Sequence, residues 1–159
     1  MALTSLQQVA FDNLMAGKNV FLTGKAGTGK SYVIERFIEE LAKENRNYLV
    51  VAPTGIAAMN VGGVTIHRSF GASLQPQISK NIQSVPDVVL QADIIIVDEI
   101  SMCRVDLFDY MVRVIAKAET TSMKRKQLVV VGDFFQLPPV TTDADYKVLK
   151  EFYPEYDKG

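Results

Sequence analysis

The chain has 159 residues, enough for one domain with a sizeable core, and its 48% hydrophobic and 22% charged residues are the proportions of an ordinary soluble globular protein. A net charge of −1 excludes a wholesale basic nucleic-acid binder, while leaving room for a local groove lined by backbone amides and a few cations. The sequence does not open on a basic stretch followed by an apolar one, and no apolar run approaches the ~18 residues of a membrane span. No membrane partner is expected, and for a bacterial chain the setting expected is cytoplasmic and nucleoid-associated.

Apolar residues at Leu6, Val9, Ala10 and Leu14 recur at helical spacing before Gly17, so residues 6–16 are expected to form a helix. NVFLT (19–23) reads as a short strand, and residues 31–44 as a helix with Val33, Ile34, Phe37, Ile38 and Leu41 on one face. YLVVA (48–52) is a second strand, and Pro53-Thr54-Gly55 leads into a small-residue helix over 56–61 that breaks at Gly62-Gly63. Residues 71–90 carry two prolines and little periodicity, the marks of a surface excursion. IIIV (94–97) is the third strand and ends at Asp98; residues 105–118 form a helix. Residues 120–126 make a polar connection in which Lys124-Arg125-Lys126 is either a solvated basic loop or a phosphate contact. QLVVV (127–131) is the fourth strand, and from Thr141 an acidic, Tyr-rich tail shows no evident closing element. The single cysteine, Cys103, cannot form an internal disulfide and reads as a packed thiol.

The strands are continuous apolar runs separated by helices, with no hairpin signals and no internal repeat. That pattern predicts a single α/β domain over residues 1–159, an open, doubly wound parallel sheet flanked by helices.

Residues 24–31, GKAGTGKS, match G-x-x-x-x-G-K-[ST] between a strand and a helix, the context a P-loop requires. Gly24, Gly27 and Gly29 allow a tight turn. The backbone of Lys25, Ala26 and Thr28 then completes a ring of N–H donors at the positive end of the next helix. Lys30 is placed to reach β and γ phosphates, and the Ser31 hydroxyl to ligate Mg2+. The expected cofactors are thus ATP and Mg2+. Asp98 is the expected second magnesium residue, and Glu99 the base that polarises an attacking water. An Asp at a strand-to-helix junction also caps a helix by itself, and the two roles are compatible.

The segment VGDFFQLPPV (131–140) ends a strand in Gly132-Asp133 and continues through two Phe, a Gln and two Pro. Alone it reads as a polar turn. After a phosphate loop and an Asp-Glu strand end, it resembles motif III of superfamily 1 helicases, in the form of the PIF/RecD-like branch. That resemblance implies a RecA-like P-loop NTPase fold and a DNA helicase motor, 5′-to-3′ in polarity. It gives Gln136 the role of γ-phosphate sensor, with Gly132-Asp133 as the turn that aims it. Phe134, Phe135 and Leu137-Pro138-Pro139 would anchor that turn where a second motor domain docks. Residues 52–71 resemble the family's motif Ia and the Thr-x-His segment beyond it, which implies single-stranded DNA contacts at Pro53, Thr54, Gly55 and His67. A phosphate site at a helix start, charge at Arg68 and a ring at Phe70 suit that role. A lone His67 also reads as a structural histidine, and His-Arg-Ser-Phe departs from the family's commoner His-Ser-Phe. LTSLQ (3–7) resembles the adenine-reading Q motif, with Gln7 presenting donor and acceptor together.

The resemblance spans residues 3–140 and implies a second RecA-like domain, so the chain is expected to be a monomeric N-terminal fragment of a larger helicase. Two other expectations are the motor subunit of a RecD-like exonuclease complex and an ATP-dependent switch module that is no motor.

Overall fold

The computed structural model describes residues 2–79 and 81–157. The α-helices and strands follow in chain order: α1 (Ser5–Met15), β1 (Val20–Thr23), α2 (Lys30–Lys43), β2 (Tyr48–Ala52), α3 (Gly55–Asn60), β3 (Val64–Thr65), α4 (Ile66–Phe70), α5 (Asp87–Gln91), β4 (Ile94–Val97), α6 (Val105–Ser122), β5 (Gln127–Gly132) and α7 (Asp143–Phe152), with one 3-10 turn (Ile100–Met102) between β4 and α6. The five strands form one all-parallel sheet in the order β1-β5-β4-β2-β3. Successive side chains of a strand point to opposite faces. Val50, Ile94, Ile96, Val129 and Val131 therefore pack with α1 and α2, while Leu49, Val51, Ile95 and Val97 pack with α5 and α6. Both faces are covered, which is why these strands read as unbroken apolar runs.

Register places the site. Thr23 pairs with Gly132, and Val97 with Val130, so the turns after β1, β4 and β5 leave the sheet at one edge, where open α/β sheets bind ligands.

Several expectations need correction. In α1 the buried side is Leu14 with Ala10, Phe11 and Met15 packed beside it; Leu6 and Val9 are exposed. The helix is rolled so that Phe11 and Leu14 meet the core shared with α2. β3 and α4, unforeseen, follow Gly63, whose added Cβ would collide with the Val50 carbonyl and so keep β3 from lying against β2. α4 is capped by Thr65 Oγ1, which accepts from the Arg68 N–H at 3.2 Å, and stops at Gly71 with φ 67°. Phe70 in α4 is 1% exposed and belongs to the core, so it is unavailable for stacking on a base.

The helix expected to end at 118 runs one turn further, to Ser122. Lys126 is no part of a solvated basic loop. It is 4% exposed, and its Nζ donates to the carbonyls of Leu90 (2.8 Å) and Ala92 (2.6 Å) at the end of α5. Burial lowers its pKa. Gln127 similarly turns inward and donates to Leu14 and Lys18 carbonyls at the end of α1.

The tail does close. Thr142 caps α7, Leu149 is fully buried, and Asp145 meets Arg104 at 3.1 Å while the Tyr153 hydroxyl donates to Asp109 at 3.0 Å. Arg104 also pairs with the fully buried Asp106, which accepts the Gln77 N–H at 2.6 Å. One guanidinium thus joins α6, α7 and, through Asp106, the excursion over 71–86. Among the described residues no helix is long and apolar enough to cross a membrane.

Candidate functional site

The loop between β1 and α2 bends through three glycines with positive φ: Gly24 at 158°, Gly27 at 78° and Gly29 at 82°. The last two values lie in the left-handed region, where a side chain is strained. The loop is held from inside. Thr28 Oγ1 donates to the Lys25 carbonyl (2.8 Å), and Lys30 Nζ donates to the carbonyls of Gly24 (2.5 Å) and Lys25 (2.9 Å). The ammonium is therefore seated on the loop backbone, in reach of anything the loop encloses.

Gln7 reaches the loop from α1. Its Oε1 accepts the Thr4 N–H (2.9 Å) while Thr4 Oγ1 accepts the Gln7 N–H, forming a capping box, and its Nε2 donates to the Thr28 carbonyl at 3.3 Å. A Cβ at Gly29 would run into the same amide. The Thr-x-x-Gln spacing of a capping box was visible in the sequence, but the strut to the loop was not.

Asp98 follows β4 directly. One of its oxygens accepts the Glu99 N–H at 2.8 Å, which holds Glu99 at φ 54°, ψ 43°. A non-glycine residue there costs ~1 kcal/mol or more, strain of the kind that concentrates at functional sites. Burial, opposed by the Glu99 N–H and the Lys30 charge, pushes the Asp98 carboxyl above its usual range. Glu99 is pushed up by burial and then by the Asp98 charge, against the pull of Lys30. In both, the folded chain holds a proton more tightly than the unfolded one. The stability of the free domain therefore falls as pH rises from the ordinary carboxylate value through the raised ones, and the ionised pair destabilises the fold at neutral pH. Asp98→Asn keeps the acceptor for Glu99 and removes one charge. It is expected to raise Tm at neutral pH by ~1–3 °C and to flatten the acid-side slope in thermal melts.

After β5, Gly132 has an ordinary φ, contrary to the expectation that it frees the chain to turn. Its need is steric, because an added Cβ would lie 2.6 Å from Ile100 Cγ2 and 3.2 Å from Ile100 N. Asp133, 6% exposed, makes the turn by accepting the Phe135 N–H at 3.0 Å, and the Gln136 N–H returns to the Asp133 carbonyl at 3.0 Å. Phe134 packs edge-on against Phe21, ring centroids 5.6 Å apart, while Phe135 is 93% exposed.

These turns enclose one cavity of 540 Å³, lined by Ala26, Gly27, Gly29, Lys30, Ser31, Asp98, Glu99, Asp133 and Gln136. The fold thus gathers Ala26, Gly27, Gly29, Lys30, Ser31, Asp98, Glu99 and Gln136 from three separate turns, whereas Gly24, Lys25 and Thr28 of the expected phosphate set, and Gln7, do not line this cavity. Ser31, Asp98, Glu99 and Gln136 also border a larger cavity of 990 Å³ between α2 and α3. A hydroxyl and a carboxylate are hard oxygen donors, and the Asp98-Glu99 pair makes no ion pair among the described residues. A magnesium ion that keeps water and phosphate oxygens as its other ligands fits that donor set.

Three of the residues expected to meet DNA lie at the turn after β2, and the fourth, His67, lies in α4 after β3. Pro53 is buried and shapes the turn; Thr54, half-buried, caps α3 by accepting the Ala57 N–H at 3.2 Å, and Gly55 is exposed. His67 is half-buried, and its pKa is lowered by burial and by Arg104, so the ring favours the neutral form.

The PIF1-like helicase family model matches residues 2–152. The chain is 35% identical to the ATP-dependent DNA helicase RRM3 of Saccharomyces cerevisiae, over 92% of this chain and 22% of that protein. It is 35% identical to human ATP-dependent DNA helicase PIF1, over 87% and 23% respectively. The crystal structure of Pif1 helicase from Bacteroides in complex with ADP-AlF3 and single-stranded DNA superposes with a TM-score of 0.83 at 36% identity, covering 98% of this chain and 38% of that one. The chain thus spans between a fifth and a quarter of the length of these curated relatives.

Proposed function

Because this chain belongs to the PIF1-like helicase family, we propose that it is the ATP-binding and hydrolysing motor domain of a DNA helicase, one part of a longer polypeptide that carries a second RecA-like domain. The observation that carries the reading is the single cavity in which Lys30, Ser31, Asp98, Glu99 and Gln136 converge.

The loop amides and Lys30 bind and orient the β and γ phosphates. Ser31 and Asp98 would hold Mg2+, which when bound offsets phosphate charge. Glu99 accepts a proton from the attacking water, and the Gln136 amide holds that water or the γ-phosphate from the other side. Gln7, whose amide donates to the Thr28 carbonyl, is the residue we assign to reading adenine. Gln136 sits on a turn whose neighbours Phe135 and Leu137 are exposed, so a change in its hold on the γ-phosphate is passed to the surface facing a second domain. Pro53, Thr54 and Gly55 at the turn after β2 and His67 in α4 supply a single-stranded DNA track, and 5′-to-3′ movement is the polarity we assign.

Single-stranded DNA is expected to stimulate ATP hydrolysis by the full-length polypeptide, whereas residues 1–159 alone stay slow, lacking a trans-acting charge worth ~10³–10⁵ in rate in P-loop enzymes. DNA-independent turnover of the full-length polypeptide would remove the motor reading. Gln136→Ala should reduce DNA-stimulated turnover and unwinding by ~10²-fold while leaving nucleotide binding nearly intact. Equal loss in an ATP-binding titration would show that Gln136 only builds the pocket.

A further inference from the structure

Arg104 breaks a local rule. It holds the N-cap of α6, where Ser, Thr, Asp or Asn is usual, makes no capping bond, and brings a positive charge to the positive end of the helix dipole. Asp106 in the first turn compensates through a two-point fork, Arg104 Nε donating to Oδ1 at 2.6 Å and Nη2 to Oδ2 at 3.0 Å. The guanidinium is 12% exposed and the carboxylate fully buried. Arg104 Nη1 also donates to Asp145 in α7 at 3.1 Å, and Asp106 accepts the Gln77 N–H at 2.6 Å. Apolar side chains of like volume would hold these segments at least as well, since a buried ion pair contributes little net stability.

The pair instead connects two parts of the site. On one side, Glu99 lies five residues before Arg104. The chain between them is fixed: the Met102 N–H returns to the Glu99 carbonyl at 3.0 Å, the Cys103 N–H to the Ile100 carbonyl at 2.9 Å, and Ile100, Ser101 and Cys103 are buried. The Arg104 carbonyl then accepts the Phe108 N–H at 3.1 Å as α6 begins. On the other side is α4. Tyr110 of α6 donates its hydroxyl to the Phe70 carbonyl at 3.1 Å, and the His67 carbonyl accepts the Ala72 N–H at 3.0 Å where α4 ends. Arg104 and Asp106 both act on the His67 ring through their charges, the cation more strongly.

We propose that Arg104 is a positioning residue for ATP hydrolysis: its ion pair with Asp106 fixes the turn carrying Glu99 relative to α4, so that single-stranded DNA held at α4 sets the placement of Glu99. Packed side chains and hydrogen bonds run without a break from α4 through α6 to that turn, the kind of network that carries coupling between sites. Arg104 lines neither the 540 Å³ nor the 990 Å³ cavity, so it acts through Glu99 and not on phosphate. The inference deepens the motor reading and rests on it.

Steady-state hydrolysis by the full-length polypeptide, with and without single-stranded DNA, tests it in Arg104→Gln, Arg104→Lys and the double variant Arg104→Gln/Asp106→Asn. The double variant keeps an acceptor for the Gln77 N–H and leaves no buried charge unpaired, so it folds where Arg104→Gln alone fails to. Arg104→Gln and the double variant should each cut DNA-stimulated kcat about tenfold further than DNA-free kcat, with KM for ATP and DNA affinity within about twofold of wild type. Arg104→Lys keeps the charge without the planar fork and should recover part of the loss. His67 is the one histidine of the 159 residues, so its NMR titration in that chain reads the connection to α4 directly. Both variants that remove the guanidinium should raise its midpoint, because Arg104 outweighs Asp106 there. Equal losses with and without DNA, a fall in DNA affinity in proportion to kcat, or an unmoved His67 midpoint each overturns the proposal. Wild-type hydrolysis indifferent to DNA would sink the motor reading and this inference with it, whereas a stimulated wild type whose stimulation survives in the variants sinks this inference alone.

Discussion

Lys30→Ala is expected to abolish measurable ATP hydrolysis by the full-length polypeptide, with a loss of ~10²–10³ in kcat from the missing charge on the transferring phosphoryl group alone. Affinity should fall too, because in the free domain the same ammonium bonds the carbonyls of Gly24 and Lys25 and so ties the loop together. Two measurements separate these contributions. Steady-state hydrolysis reads the chemical loss, and titration with a fluorescent ATP analogue reads the binding loss. Lys30→Arg keeps the charge but spreads it over a planar group that cannot act as a compact point charge, so it should recover part of the binding and little of the rate. Wild-type turnover in Lys30→Ala would place the phosphate site elsewhere.

Glu99→Gln should behave differently. Removing the base costs ~10²–10⁴ in turnover, yet the amide is isosteric and removes a carboxylate that Asp98 and Asp133 repel. Nucleotide binding should hold or tighten, giving a variant that binds ATP and single-stranded DNA and is stalled before hydrolysis. Rapid-quench single-turnover kinetics combined with equilibrium binding checks this. A loss in binding equal to the loss in rate would show that Glu99 serves to build the site. The left-handed conformation of Glu99 adds a structural requirement: a β-branched replacement, which tolerates positive φ least, should impair folding of the turn as well as chemistry.

Much of the molecule was readable without coordinates. GKAGTGKS between a strand and a helix, IIIV closing on Asp98-Glu99, and QLVVV closing on Gly132 carry their own local chemistry, and the strands and helix that flank these turns formed within a residue or two of where their patterns placed them. The misses share a cause. α4 and α7 are short, with one or two buried anchors apiece, so periodicity was too brief to register, although the Thr65 and Thr142 caps and the Gly71 stop were present in the letters. Phe70 and Lys126 were misjudged because burial depends on what packs over a residue. A ring expected to meet a base fills the core, and a lysine expected in solvent closes the end of α5.

The sequence by itself determined the phosphate loop, the paired carboxylates, the parallel α/β class and the family, because glycine spacing, strand-end acids and unbroken apolar runs act over a few residues. Only the tertiary structure decided that Gln136 faces the same cavity as Lys30 and Glu99. It alone showed that Gly132 is required by Ile100 lying above it and that Gln7 braces Thr28. Those relations join residues far apart in the chain, and strand order and register, which bring them together, are set by the packing of the whole sheet against its helices.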